Sequence, residues 1–323
     1  MLSKVFYFVA PLALAISGSA ALADDEIFAT EYLHQTDAGV LELTPGFGGS
    51  AGQTAWSNGA PNGIAASSAT YQSTTTKTTL GVVPLAVEVE YGINSMFSAG
   101  ANIVYGAGST SNNDCPSGAT CSTYKYKGFF NPVVYFKGRN SLGAGALLYG
   151  IIGDIAIENR KTNSSGDGNF ANGGTTLAPF VAYQMPTGTV GAWGIRLQYD
   201  LYRGARKSTS DYSTPGQESV QTGGNQWVLD TFYEANVSLL TIGGSLYFES
   251  HPDTVTSLNG APATSNNDGR TLLGFQVYTP VHFKRVTLLP NASYAVFGAY
   301  NSALTGVSSL SIAQIGVAAR LPF

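Results

Sequence analysis

Ionisable and amide side chains recur at every second position along several stretches of this chain. Glu88 is followed by Glu90, Arg196 by Gln198 and Asp200, and Lys125 by Lys127. Glu42, Asp154, Glu158, Asp230, Glu234, Glu249 and Arg320 stand in the same kind of alternation with apolar neighbours, as do Arg160 and Arg270. Residues two apart on an extended chain share one face. These groups are therefore expected to line a single polar surface, with acids in slight excess over bases. Fixed charge of one sign in a narrow passage concentrates counter-ions, so the chemistry it suits is weak cation selection.

Other chemistries find less support. The chain has three histidines. His34 lies before the alternating region, His282 falls in a short connection, and His251-Pro252-Asp253 reverses the order of an Asp-x-His pair and inserts a proline, so it reads as a loop turn. No nucleophile–base pair stands out, nor does a glycine-rich phosphate loop or a metal-ligand cluster. The expectation is a protein that is not an enzyme, with no cofactor, no metal and no nucleic-acid partner. Cys115 and Cys121 are the only cysteines. In an exported chain they are expected to form a disulfide. It would close a small loop, stiffening one hairpin tip rather than holding the fold.

A polar face needs strands to present it. Twelve alternating segments can be traced, beginning with Gly39–Gly49, Thr74–Tyr91 and Met96–Tyr105. Tyr124–Lys137, Leu142–Asn159, Thr175–Met185 and Val190–Arg203 follow, then Gln226–Leu240, Gly244–Ser250, Arg270–Thr279, Val286–Gly298 and a last strand ending at Phe323. Val190–Arg203 alternates most clearly, with Trp193, Ile195, Leu197, Tyr199 and Leu201 opposed to Arg196, Gln198 and Asp200. Aromatic residues such as Tyr91, Phe97, Tyr105, Tyr124 and Phe136 sit near strand ends, where interfacial girdles form. Short turns follow the even strands. Long polar connections, among them Ser50–Ser73, Gly204–Asn225 and His251–Gly269, follow odd ones.

The ends supply a compartment. Lys4, the apolar run Val5–Ile16 and Ala21-Leu22-Ala23 form the three regions of a secretory signal peptide over residues 1–23, cleaved before Asp24. Residues 24–38 are a periplasmic lead-in or a segment tucked into the lumen, and residues 39–323 are the strand region. Charged residues are 11% of the chain, well below the roughly 25% usual for soluble proteins. No later stretch holds about 18 consecutive apolar residues, as a spanning helix would need. Lipid offers no partners to backbone amides, so a sheet whose apolar face meets lipid must close. The fold expected is an all-β transmembrane antiparallel barrel of about twelve strands, with short periplasmic turns and long extracellular loops.

Leu321-Pro322-Phe323 completes the pattern, with Phe323 on the apolar face of the last strand. The signal peptide, alternating strands, turn rhythm and terminal Phe together resemble Gram-negative outer-membrane β-barrels of the porin and small-channel type. Glycine and tyrosine usage is also similar to the phenol-pathway meta-type outer-membrane transporters. The lipid-facing surfaces, which show no polar seam for trimer contacts, point to a monomer. The resemblance implies residence in the cell outer membrane, surrounded by lipid and lipopolysaccharide. It implies that Phe323 is part of the signal read by the assembly machinery. It further implies passive diffusion of small hydrophilic solutes, the alternatives being a closed recognition barrel with ligand-binding loops or a transporter of small aromatic compounds.

Overall fold

The computed structural model describes residues 32–57, 76–112, 123–171, 173–188, 190–211, 214–238, 240–265, 269–297, 300–302 and 305–323. The signal-peptide region, Cys115 and Cys121 lie outside these, as does the side chain of Arg270. The strands in chain order are β1 (Leu41–Ser57), β2 (Thr76–Gly92), β3 (Phe97–Asn112), β4 (Thr123–Phe129), β5 (Val133–Leu142), β6 (Gly145–Asp154) and β7 (Arg160–Thr162). There follow β8 (Thr175–Thr187), β9 (Gly191–Arg203), β10 (Arg206–Ser210), β11 (Gln217–Gly223), β12 (Gln226–Val237), β13 (Leu240–His251) and β14 (Thr254–Leu258). The last are β15 (Thr264–Ser265), β16 (Arg270–Tyr278), β17 (Val281–His282), β18 (Thr287–Phe297), β19 (Tyr300–Ser302) and β20 (Thr305–Pro322).

Each long strand pairs antiparallel with its sequence neighbours. The ring closes where β20 pairs with β1 along nearly the whole of both strands. The result is a closed antiparallel barrel of 12 strands. At the seam Leu41 N–H donates to the Phe323 carbonyl at 3.2 Å and Phe323 N–H to the Leu41 carbonyl at 2.8 Å. Closure leaves no ladder edge in the wall, which is what an apolar surround requires. Alternation then sorts the side chains. On β2, Val83, Leu85, Val87 and Val89 are exposed on the outside, while Glu88 and Glu90 are buried inside. On β9, Leu197 keeps 41% of its surface and Gln198 only 9%. The short turns are built by local chemistry: Asn94 Oδ1 accepts from both Met96 and Phe97 N–H at 2.8 Å.

Three features depart from the strand pattern. First, the segment Tyr124–Lys137 is not one strand. Opposite β3, Tyr105 pairs with Phe129 and Asn102 with Val133. Three residues, Phe130, Asn131 and Pro132, therefore face the two residues Ile103 and Val104. One extra residue is a bulge, and it reverses which side chains point inward. Lys125 and Lys127, expected to line the lumen, are exposed on the outer face beside Ser109 and Ala107. Tyr124 and Tyr126 point inward in their place, packing with Val82, Val104, Phe130 and Phe170. Tyr124 is thus a core residue rather than part of an outer girdle.

Second, β6 stops at Asp154, five residues before the expected end at Asn159. Glu158 consequently lies outside the wall and pairs loosely with Lys161 at 3.8 Å on a half-exposed surface. Third, the long polar connections are not featureless. Segments within three of them pair in the order β15-β14-β11-β10-β7, a second sheet at the loop end of the barrel. Arg160 and Arg206 are buried in it, the Arg206 guanidinium lying 4.0 Å from the centre of the Tyr202 ring.

Two outcomes follow from this architecture. Leu197→Arg places a charge near the middle of the lipid-facing wall and is expected to cost about 2–4 kcal/mol. Gln198→Met, inside the lumen, should cost about 1 kcal/mol through lost hydrogen bonds. Equilibrium unfolding in liposomes compares them, and equal costs would mean the register of β9 is wrong. Deleting Phe323 removes both seam hydrogen bonds, so the fraction of chain migrating as a heat-modifiable barrel should fall. An unchanged fraction would dissociate the terminal residue from barrel closure.

Candidate functional site: the barrel lumen

The lumen holds most of the polar residues that the alternation places inside. Glu42, Glu88, Glu90, Gln198, Asp200, Asp230, Glu234, Glu249 and Arg320 are all buried, and Arg196 and Asp154 nearly so. They are organised into pairs rather than left as bare charges, because an unpaired charge in a narrow lumen is costly. Arg196 faces Asp230 at 4.0 Å and hydrogen-bonds Gln198, which donates to Asp200 at 2.6 Å. Gln226 donates to the other Asp200 oxygen at 2.6 Å. Glu249 takes His251 at 3.0 Å, and Asp154 accepts from the Asn131 amide. His251, weighed with Asp253 from the sequence, thus faces a different acid.

At the end carrying the short turns, the chain itself enters the lumen. Residues 32–38, for which the sequence offered a lead-in or a tucked segment, take the second course. Leu33, His34, Gln35 and Thr36 are buried. Tyr32 stacks on Phe232 with ring centres 4.5 Å apart, and lies 6.0 Å from the Tyr278 ring. This strap is fastened at alternate residues, each time to a carboxylate of the wall. Tyr32 N–H donates to Glu234 of β12. The His34 imidazole meets Glu42 of β1 at 2.7 Å. Thr36 N–H donates to Glu90 of β2 at 3.1 Å.

Wall cations complete the frame. Lys137 of β5 reaches Glu90 at 2.7 Å and the His34 carbonyl at 2.9 Å. Arg320 of β20 stands 3.5 Å from Glu42. Tyr135 bridges the two acids of β2, donating to Glu88 or, at 2.9 Å, to Glu90. Lys137 was not singled out from the sequence, although it shares the inward parity read for Lys125 and Lys127. It keeps that inward place, and the bulge at Phe130–Pro132 turns the two earlier lysines outward. Tyr32 and Thr36 act through backbone N–H groups, which no side-chain motif records.

Farther along β1, β2 and β20, the same strands that anchor the strap, the lumen is less filled. A cavity of about 710 Å³, open solvent at its mouth included, runs along β1, β20, β2 and β3. Its floor is made of small residues: Gly46, Gly48, Gly316, Ala318 and Ala86. Polar groups along it are Thr44, Ser50, Glu88, Asn102, Asn291 and Gln314. Gly48 and Gly316 face each other across the β1–β20 ladder. A Cβ on Gly48 would lie 2.5 Å from the Ile315 carbonyl oxygen, so this stretch of wall is held to bare backbone. A Cβ on Gly316 would meet nothing nearer than 3.4 Å.

No family model and no curated protein matches the sequence. Solved structures do match the fold. An outer-membrane channel from Pseudomonas putida F1 superposes with a TM-score of 0.61 at 13% identity, covering 94% of this chain and 100% of that one. The chain has the fold of an outer-membrane β-barrel. Lower similarity is found to the transport unit of the autotransporter AIDA-I from Escherichia coli, with a TM-score of 0.49, 13% identity and coverage of 95% and 96%. The NanC porin gives 0.42, 13%, 84% and 98%.

The strap carries a titratable contact. Burial, reinforced by the nearby Arg320 guanidinium, holds the His34 ring below its ordinary value, against the pull of Glu42. A group whose value is lowered by seating favours the seated state at pH above its free value. That contribution is lost as pH falls through the lowered one. Backbone hydrogen exchange at residues 33–37, corrected for its intrinsic pH dependence, should therefore show protection that declines on acidification. His34→Gln should show a much flatter profile. Protection that increases in acid would reverse the assignment.

Proposed function

We propose that this protein is an outer-membrane channel through which small solutes diffuse along the β1–β20 side of the lumen. The observation that carries the reading is the cavity floored by Gly46, Gly48, Gly316 and Ala318, in a barrel whose lumen also holds the strap and a set of ion pairs. A twelve-stranded barrel has a backbone diameter of roughly 24 Å, and side chains remove about half of it. The passage left over suits small molecules rather than polymers.

Small hydrophilic solutes, with a weak preference for cations, fit the polar groups on its walls. Glu88 is the acid of the cavity, and lumen carboxylates outnumber Lys137, Arg196 and Arg320. Pairing of most of these acids keeps the preference weak. Alanine, valine and glycine along the floor also support a second reading, passage of small aromatic or weakly polar compounds. Residence in the outer membrane as a monomer, with lipid and lipopolysaccharide outside and assembly guided by Phe323, belongs to the same proposal.

Gly316→Phe tests it. A Cβ there has van der Waals room, with its nearest neighbour at 3.4 Å, and Gly316 lines the cavity, so permeation should drop several-fold while the barrel still folds. Ile315→Phe, on the exposed outer face, should leave permeation unchanged. The readouts are conductance in planar bilayers and swelling of liposomes with an uncharged sugar or a small aromatic alcohol. Entry of the sugar supports the hydrophilic reading, entry of the aromatic alcohol alone supports the second, and absence of both would exclude a channel.

A further inference from the structure

Three buried carboxylates hold the strap, and they come from three separate strands. Glu234 of β12, Glu42 of β1 and Glu90 of β2 accept in turn from residues 32, 34 and 36. The three acids stand on different parts of the ring: β1 and β2 are neighbours, whereas β12 is reached from β1 only through β20, β18, β16 and β13, so the strap links separate parts of the wall. Two of the three donors are backbone N–H groups, so the strap brings hydrogen bonds without bringing compensating charge. The wall cations Lys137 and Arg320 serve Glu90 and Glu42, whereas Glu234 also accepts from the neutral Tyr278 hydroxyl at 2.7 Å.

From this arrangement we infer that residues 32–36 mask a cation-selecting ring of carboxylates, Glu42, Glu90 and Glu234, which governs ion preference once the strap is displaced. The inference rests on the channel reading and deepens it. With the strap seated, these three oxygens point at protein, and solutes pass along the β1–β20 cavity under Glu88 alone. With the strap out, the same oxygens face water across the turn end of the barrel. The net negative charge of the ring then acts on passing ions in a passage with low-dielectric walls, where counter-ions are concentrated and co-ions excluded, most strongly at low salt. A strap held by side-chain cations would carry its own charge away on leaving and change the ring differently. One held by N–H groups uncovers acids that were already there.

The test is bilayer conductance of the full-length protein under a potassium chloride gradient. Tyr32→Ala, His34→Ala and Thr36→Pro together remove the aromatic anchor, the imidazole and one backbone donor, and Thr36→Pro alone is the milder release. The released channels should conduct at least about twofold better than the parent. Their potassium-to-chloride permeability ratio should rise several-fold at low salt and fall back at high salt. Adding Glu90→Gln and Glu234→Gln should return the ratio towards the parent value while conductance stays high. Adding Glu234→Gln alone should return part of it. Heat-modifiable migration certifies that each variant is a closed barrel. Higher conductance with an unchanged ratio would overturn the masking while leaving the channel reading intact. Unchanged conductance in both released variants would overturn the strap's role. Silence of the parent and every variant would sink the channel reading itself, and the inference with it.

Discussion

Backbone hydrogen bonding governs this structure more than any side-chain contact. A strand edge facing lipid would leave each amide without a partner at a cost of several kcal/mol. The pairing of β20 with β1 abolishes the last edge, and everything else follows from it. A closed sheet has one outside and one inside, so the alternation along every strand becomes a partition between lipid and lumen. Where Gly48 of β1 faces Gly316 of β20, neither strand carries a side chain, which leaves the cavity floor bare backbone.

Enclosure creates the second constraint. Charges pointing into a narrow barrel cannot keep full hydration shells, so they are satisfied by one another or by polar protein groups. The two sides of the lumen solve this differently. Beneath β9, β12 and β13, side chains satisfy side chains, as in the run Arg196, Gln198, Asp200 and Gln226. At the turn end, acids of β1, β2 and β12 are satisfied by a stretch of the chain's own backbone. A side-chain network is part of the wall. A strap joined to β1 through a short link is not a strand of the wall and is held by the contacts it makes.

Much of the fold was legible because period-two alternation survives any register. The positions of β2, β8, β9 and β16 agree with their apolar repeats to within two residues, and the short-turn and long-loop rhythm is present in the molecule. Acids such as Glu88, Glu90, Asp230 and Glu234 lie inside because they sit on uninterrupted strands, where parity can be counted. Lys125, Lys127 and Glu158 failed for one reason: parity is lost across a bulge or past a strand end. The extra residue in Phe130-Asn131-Pro132 is visible only against its partner, where it opposes Ile103 and Val104.

Local sequence therefore determined the class of structure, the number of wall strands, and which face of each regular strand is apolar. These depend on side-chain alternation and turn residues within a few positions of one another. Tertiary structure alone decided where residues 32–38 go, because Tyr32 lies 202 residues from Glu234 and Thr36 lies 54 from Glu90. It alone decided that Lys125 and Lys127 turn outward, that the polar connections pair into a second sheet, and that a cavity remains beside β1. Each of these arises from contacts between segments distant in the chain, and the alternation of any one segment carries no record of the partner it will meet.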